Sequence, residues 1–187
     1  MRIRVDVGLI HYPVYNKNKE IITSAVTNLD LHDIARAAKT FGVDTFYIVT
    51  PLKDQQQLFQ EILDHWLSGP GARYNEKRKN ALEKVRICES FSTLSDICKA
   101  KWGVAPLILA TGAGPKESSW PYEKVREIIW AEKPLLLLFG TAWGLAEEIT
   151  QMVDGFLPPI KGIGEYNHLS VRSAAAIILD RLLAERQ

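Results

Sequence analysis

Apolar residues recur along this 187-residue chain in two rhythms, and the switching between them predicts its elements. Runs that are continuous or alternate in steps of two predict strands at 3–10 (IRVDVGLI), 45–50 (TFYIVT), 84–91 (KVRICESF), 106–111 (PLILAT), 134–139 (PLLLLF) and 155–160 (GFLPPI). Between them the step lengthens to that of a helix. In the first such segment, 30–41, Leu31, Ile34, Ala35 and Ala38 share one face, Asp30 is placed to cap the start and Gly42 to end it. Helical patterns follow at 53–67, 75–84, 93–101, 122–131 and 145–152. The last helix, from Val171 to Leu183, carries one apolar stripe through Val171, Ala174, Ala175, Ile178 and Leu182 and another through Ala176, Leu179 and Leu183. Two stripes predict burial on more than one side.

Strands alternating with helices predict an α/β fold, a single domain over 1–187 with a mostly parallel sheet covered by helices on both faces. A strand such as PLLLLF offers no polar side to water. In such sheets ligands bind beyond the carboxyl ends of the strands. That rule selects the loops 111–119 (TGAGPKESS), 140–148 (GTAWGLAEE) and 158–170 (PPIKGIGEYNHLS). Each mixes glycine or proline with small polar residues and can present backbone N–H and C=O groups to a ligand. Leu138, Leu145, Leu157 and Ile160 are at hand to cover the faces of a purine. Glycine turns follow strands in α/β proteins generally, so no single loop is diagnostic. GAGP at 112–115 is not a GxGxxG fingerprint, and the chain contains no GxxxxGK[ST] phosphate loop.

The formal net charge of +1 gives no global pull toward nucleic acid or membrane. Cys88 and Cys98 form no CxxC pair and there are four histidines, so no metal site is expected. No apolar run reaches bilayer length or resembles a signal peptide, which leads us to expect a soluble protein of the reducing cytoplasm. The strongest local bias lies in 71–86 (GARYNEKRKNALEKVR), where Arg73, Lys77, Arg78 and Lys79 cluster near Tyr74 and Trp66. Such a segment either tracks RNA phosphates and stacks an unpaired base or is a solvated helix face.

Considered together, the loops are more specific. PLLLLFGTAWGLAEEI followed by FLPPIKGIGEYNHLSVRSAAAI resembles the second and third motifs of the SPOUT class of S-adenosylmethionine-dependent RNA methyltransferases. NLDLHDIARAAKTFGVDTFYIV at 28–49 resembles the first motif of that class's ribose-methylating branch. The three stand in family order from Asn28 to Ile177, and the chain is similar to a small bacterial family with LIHYPV, TAVTNLDLHDIAR and NHLSVR-like segments. The resemblance implies a C-terminal trefoil knot, a rare exception to unthreaded chain topology. It also implies S-adenosylmethionine as cofactor without a metal, a tRNA or rRNA substrate, and a homodimer. By motif position it implies cofactor contacts, mainly from backbone, at Ala110, Thr111, Gly112, Phe139, Gly140, Gly144, Leu157, Ile160, Ile163, His168 and Leu169, with Ser170 beside them as N-cap of the last helix.

Two departures leave the acceptor open between a ribose 2'-hydroxyl and a base nitrogen. Asn28 lies farther from Arg36 than the branch's motif allows, and Ser170 stands where the branch has Asn. The extra C-terminal domain of the tRNA guanine-N1 branch is not expected here. Methyl transfer is an in-line displacement, so the main demand is to hold donor and acceptor in near-attack geometry. Arg36 is implied to assist deprotonation or to grip a phosphate, against the plain reading of a surface helix arginine. Asn28 either orders its loop or touches the acceptor, Asn167 is placed to reach the substrate side, and His11 sits at a carboxyl strand end as a further candidate. His32 and Asp33 are base candidates that read equally as capping or solvated residues, and Trp143 reads as packing against the next helix. The competing function is a non-catalytic RNA-binding or assembly factor on the same fold.

Overall fold

The computed structural model describes residues 2–114 and 118–185. Six parallel strands form the sheet: β1 (Val5–Ile10), β4 (Thr45–Val49), β5 (Val85–Cys88), β6 (Leu107–Ala110), β7 (Leu135–Gly140) and β8 (Gly155–Phe156), in the order β5-β4-β1-β7-β6-β8. A small antiparallel hairpin, β2 (Val14–Tyr15) and β3 (Ile21–Ile22), follows β1. The helices are α1 (Asn28–Thr40), α2 (Lys53–Leu67), α3 (Pro70–Tyr74), α4 (Glu76–Leu82), α5 (Phe91–Trp102), α6 (Tyr122–Trp130), α7 (Glu147–Thr150) and α8 (Val171–Leu183). Among the described residues no helix is long and apolar enough to cross a membrane.

The strand alternation explains the two cores. Val5, Val7 and Leu9 of β1 and Leu135, Leu137 and Phe139 of β7 turn toward α1, α2, α6 and α8. Ile10, Leu136 and Leu138 turn the other way, toward Phe91, Leu94, Cys98 and Trp102 of α5 and Ile149 of α7. Gly8 keeps that second face thin, since a Cβ there would lie 2.9 Å from Leu94. The α/β class and the doubly covered parallel sheet read from the sequence are those of the structure.

The differences are local and have physical causes. Helix α1 begins at Asn28, not after Asp30, because Thr27 is the N-cap and its Oγ1 accepts from Asp30 N at 3.1 Å. The strand expected over 155–160 stops at Phe156, ahead of Pro158 and Pro159, which have no N–H to give a ladder. The helix expected over 145–152 shrinks to α7 because Leu145 and Ala146 pair with the hairpin segment at Val14 and Pro13. The hairpin itself and α3 have no counterpart in the sequence reading.

Below the sheet, at the amino ends of the strands, the fully buried Asp6 accepts hydrogen bonds from Lys101 Nζ and Trp102 Nε1, both at 2.7 Å. Lys101 also pairs with Asp44. Burial pushes the Asp6 carboxyl above its ordinary range, so its ionised form depends on that ammonium. Lys101→Met is expected to lower stability at neutral pH by about 3 kcal/mol in urea unfolding, because one partner of a buried pair is removed. The loss should shrink in acid, as Asp6 takes up a proton.

Candidate active site

At the opposite end of the sheet a cavity of about 780 Å³ opens beyond the carboxyl ends of β6, β7 and β8. Three of its walls are the loops the sequence selects: Thr111, Gly112 and Ala113 after β6, Phe139 to Gly144 after β7, and the segment from Pro158 through Asn167 to Val171 after β8. The fourth wall is the approach to α1, with Ser24, Ala25, Thr27 and Asp30. Asn167 Nδ2 donates to Ala113 O at 2.8 Å and so ties the first loop to the third. Ser170 caps α8, its Oγ accepting from Ser173 N.

The middle loop is shaped by close approach and then clamped. A Cβ on Gly140 would sit 2.8 Å from Leu145 N, so only glycine lets the chain fold back there. Gly144 has φ +104, and its N–H and carbonyl are engaged by Thr141 O and Tyr15 N. Tyr15 O accepts from Trp143 N as well, so the hairpin pins the loop on both sides of the indole. Trp143 lines the cavity and is 66% exposed, not packed on the following helix as its sequence context suggested.

A chain of short hydrogen bonds forms one side of the floor. Thr141 Oγ1 donates to Ile10 O at 2.9 Å, so it accepts from Ser24 Oγ at 2.5 Å, and Ser24 in turn accepts from His11 Nδ1 at 2.9 Å. This order fixes the neutral Nδ1–H tautomer of His11. His11 is wholly buried, its Nε2 has no hydrogen-bond partner among the described residues, and burial pushes its pKa down to about 4 against the opposing pull of Asp30. His11 therefore orients Ser24 and Thr141 from beneath the cavity and does not line it.

Among the described residues, the carboxylate that lines it is that of Asp30, 7% exposed. Its carboxylate accepts from Thr27 Oγ1 at 2.7 Å and from Arg172 Nη1 at 3.2 Å. Arg172, in the first turn of α8, also approaches Asp33 at 3.7 Å, and Asp33 pairs with Arg36 at 3.8 Å. Arg36 is 63% exposed in its side chain and, like the exposed Asn28, lies off the cavity. His32 packs edge-on against Trp66.

Of the residues implied for the cofactor, Thr111, Gly112, Phe139, Gly140 and Gly144 line the cavity in the first two loops. Ile160, His168, Leu169 and Ser170 line it in the third, with Asn167 among them. Ala110 and Leu157 are bonded to each other, Leu157 N to Ala110 O at 2.9 Å, and stand behind the wall; Ile163 is fully exposed and also off the cavity. Ser24, Thr27 and Thr141 line the cavity without having been singled out in the sequence, Asp30 lines it though read there only as a cap, and Arg172 joins the site through Asp30. The basic segment sits on α3 and α4: Arg73 and Lys77 are exposed, Arg78 and Lys79 half-buried, and the Arg78 guanidinium lies 4.6 Å over the Trp66 ring. Tyr74 is 88% exposed.

Residues 4–184 match the family described as SAM-dependent RNA methyltransferase, and the chain belongs to that family. A protein of Oleidesulfovibrio alaskensis named tRNA (guanine-N(1)-)-methyltransferase is 44% identical over 179 residues, 95% of this chain and 41% of that protein. One of the same name from Nitratidesulfovibrio vulgaris is 42% identical with the same coverage. The chain thus spans about two fifths of those relatives, whereas an uncharacterized protein of Aquifex aeolicus is 35% identical over 98% of this chain and 90% of its own length. The fold is that of the SpoU methyltransferase AviRb from Streptomyces viridochromogenes, with a TM-score of 0.61 at 16% identity over 98% of this chain and 60% of that one. It is equally that of the TrmH/SpoU tRNA modifying enzyme of A. aeolicus, at 0.57 and 20% over 97% and 75%.

Because the unfolded chain protonates His11 near 6.5 and the folded chain holds it neutral to about 4, its contribution to stability is complete above 6.5 and is lost as pH falls toward 4. Urea unfolding followed from pH 7 to pH 4 should show a loss of about 3 kcal/mol from this group. His11→Gln should flatten that limb.

Proposed function

We propose that this chain binds S-adenosylmethionine in the cavity at the carboxyl ends of β6, β7 and β8 and methylates RNA there, tRNA being the substrate class favoured by the names of two relatives. The observation that carries the reading is the cavity itself, lined by the loops that resemble the family's second and third motifs. Its volume is within the roughly 300–1,000 Å³ of small-molecule sites. The residues present fit a nucleoside joined to an amino acid: Phe139, Ile160 and Ile178 offer apolar surface, glycine turns allow close backbone approach, and Thr111, Asn167 and Ser170 offer polar side chains. The guanine-N1 position in the relatives' names belongs to proteins more than twice this length and is not carried over.

S-adenosylmethionine supplies an electrophilic methyl on a sulfonium, whose transfer forms a bond to the acceptor, leaves the carbon–sulfur electron pair on sulfur and releases the acceptor's proton. The chain's own work is to bind, align and exclude water. Asn167 holds two loops together, the hairpin holds the third, and the exposed Trp143 presents a face on which an unpaired base can stack. The return of the chain from β8 to α8, packed on α1 and α6, supports a knotted C-terminal region, and the resemblance to the SPOUT class supports a homodimer. Arg73, Lys77, Arg78 and Lys79 are read as phosphate contacts, with Arg36 and Arg172 continuing the path of positive charge toward the cavity. The charges of Arg78 and Arg36 both act on His32, which places them on one flank.

Calorimetry is expected to show micromolar binding of S-adenosylmethionine, and Ala174→Phe, which fills the cavity from α8, should abolish it while thermal unfolding shows the fold retained. A chain that binds RNA but neither binds the cofactor nor transfers methyl groups would be the non-catalytic factor instead. The double variant Arg73→Ala, Lys77→Ala should weaken tRNA binding and reduce the slope of log affinity against log salt by about 1 to 2, read by filter binding across a salt series.

A further inference from the structure

Among the described residues the cavity lining holds one carboxylate, that of Asp30 in the first turn of α1, and one imidazole, that of His168. The N-cap bond of α1 runs from Asp30 N to Thr27 Oγ1, so the cap itself uses the backbone of Asp30, and its first-turn carboxylate borders the cavity. That carboxylate is held by the Thr27 hydroxyl and by Arg172, one to each oxygen, and each oxygen keeps acceptor capacity. An ion pair whose task was only to fasten α1 to α8 would gain little over apolar packing.

We propose that Asp30 is the catalytic base and that the methyl acceptor is a base ring nitrogen bearing a hydrogen, and not a ribose hydroxyl. The inference rests on the methyl-transfer reading above and adds to it the chemistry of the acceptor. The nitrogen's N–H bond breaks and its proton passes to the carboxylate of Asp30, while the pair it leaves forms the nitrogen–carbon bond and the carbon–sulfur pair stays on sulfur. A ribose hydroxyl is a far weaker acid than a ring imide, and a carboxylate is poorly matched to it. Arg36, the arginine that the resemblance offered for a ribose hydroxyl, is turned to solvent and paired with Asp33. His11 cannot replace Asp30, because its Nδ1 is committed to Ser24 and its Nε2 is sealed in the core. Among the described residues, the charged group facing Asp30 is Arg172 from α8, which Asp33 shares, and the titratable one is His11 at the end of β1, held neutral; Arg172 keeps the carboxylate oriented.

The test uses the full chain, tRNA isolated from cells lacking it, and labelled S-adenosylmethionine, with nucleoside digests resolved by mass spectrometry. The methyl group is expected on the base fragment. Asp30→Asn should lower kcat by about 10²- to 10⁴-fold, while affinities for S-adenosylhomocysteine and tRNA change less than threefold. Formate should restore turnover to Asp30→Ala and leave the wild type unaffected. Methyl on the ribose fragment, or Asp30→Asn with near-normal kcat, overturns the assignment while leaving methyl transfer intact. Loss of S-adenosylhomocysteine binding in Asp30→Asn makes Asp30 a cofactor contact and overturns its assignment as base. A wild-type chain that neither binds S-adenosylhomocysteine nor transfers a methyl group overturns the underlying reading, and this one with it.

Discussion

Strand β7 is the member on which the rest depends. It is bonded along its length to β1 on one side and β6 on the other, and Leu135 to Phe139 are buried to within 1% on both faces. A strand enclosed on four sides has no freedom of register, since a one-residue slip would reverse every side chain between the two cores. Pairing with β1 therefore fixes where the strand ends, with Gly140 opposite Ile10. The next residue, Thr141, reaches Ile10 O from that fixed point, and Ser24 and His11 are ordered in turn. The floor of the cavity is thus an extension of sheet register.

What was legible in the chain follows from how far each signal reaches. The strand and helix rhythms are local, and they returned the α/β class, all six sheet strands and most of the helices. The three loops after β6, β7 and β8 were legible because strand direction alone says where ligands sit. The hairpin was not, since two-residue strands have no measurable period; its shape comes from Asn16, whose Oδ1 accepts from the backbone of Asn18 and Glu20. Arg172 was out of reach for another reason: it meets Asp30 across 142 positions of sequence.

Arg36 and Asp30 show a signal that was present and misweighed. At roughly 100° per residue, Asp30, Ile34 and Ala38 fall on one face of α1, the buried one, whereas Arg36 lies two residues past Ile34 and so about 200° away. The stripe that identified the helix also assigned Asp30 to the inside and Arg36 to the outside. Reading Asp30 only as a cap concealed this, because a cap explains a carboxylate at a helix start without asking which way it points.

Small residues complete the arrangement. Ala35 and Ala38 of α1 and Ala175 of α8 are fully buried in the same core, which lets the two helices pack closely. Only at such a separation can a side chain as short as that of Asp30 meet Arg172 on the neighbouring helix while still bordering the cavity. Ala175, in the alanine run that follows NHLSVR, thus has a consequence beyond packing: a bulkier residue there would push α8 outward and take the guanidinium from the carboxylate. The polar and the small halves of that segment therefore act on one object, the position of α8 relative to α1. Asn167 and Ser170 set it from the loop, and Ala175 sets it from the core.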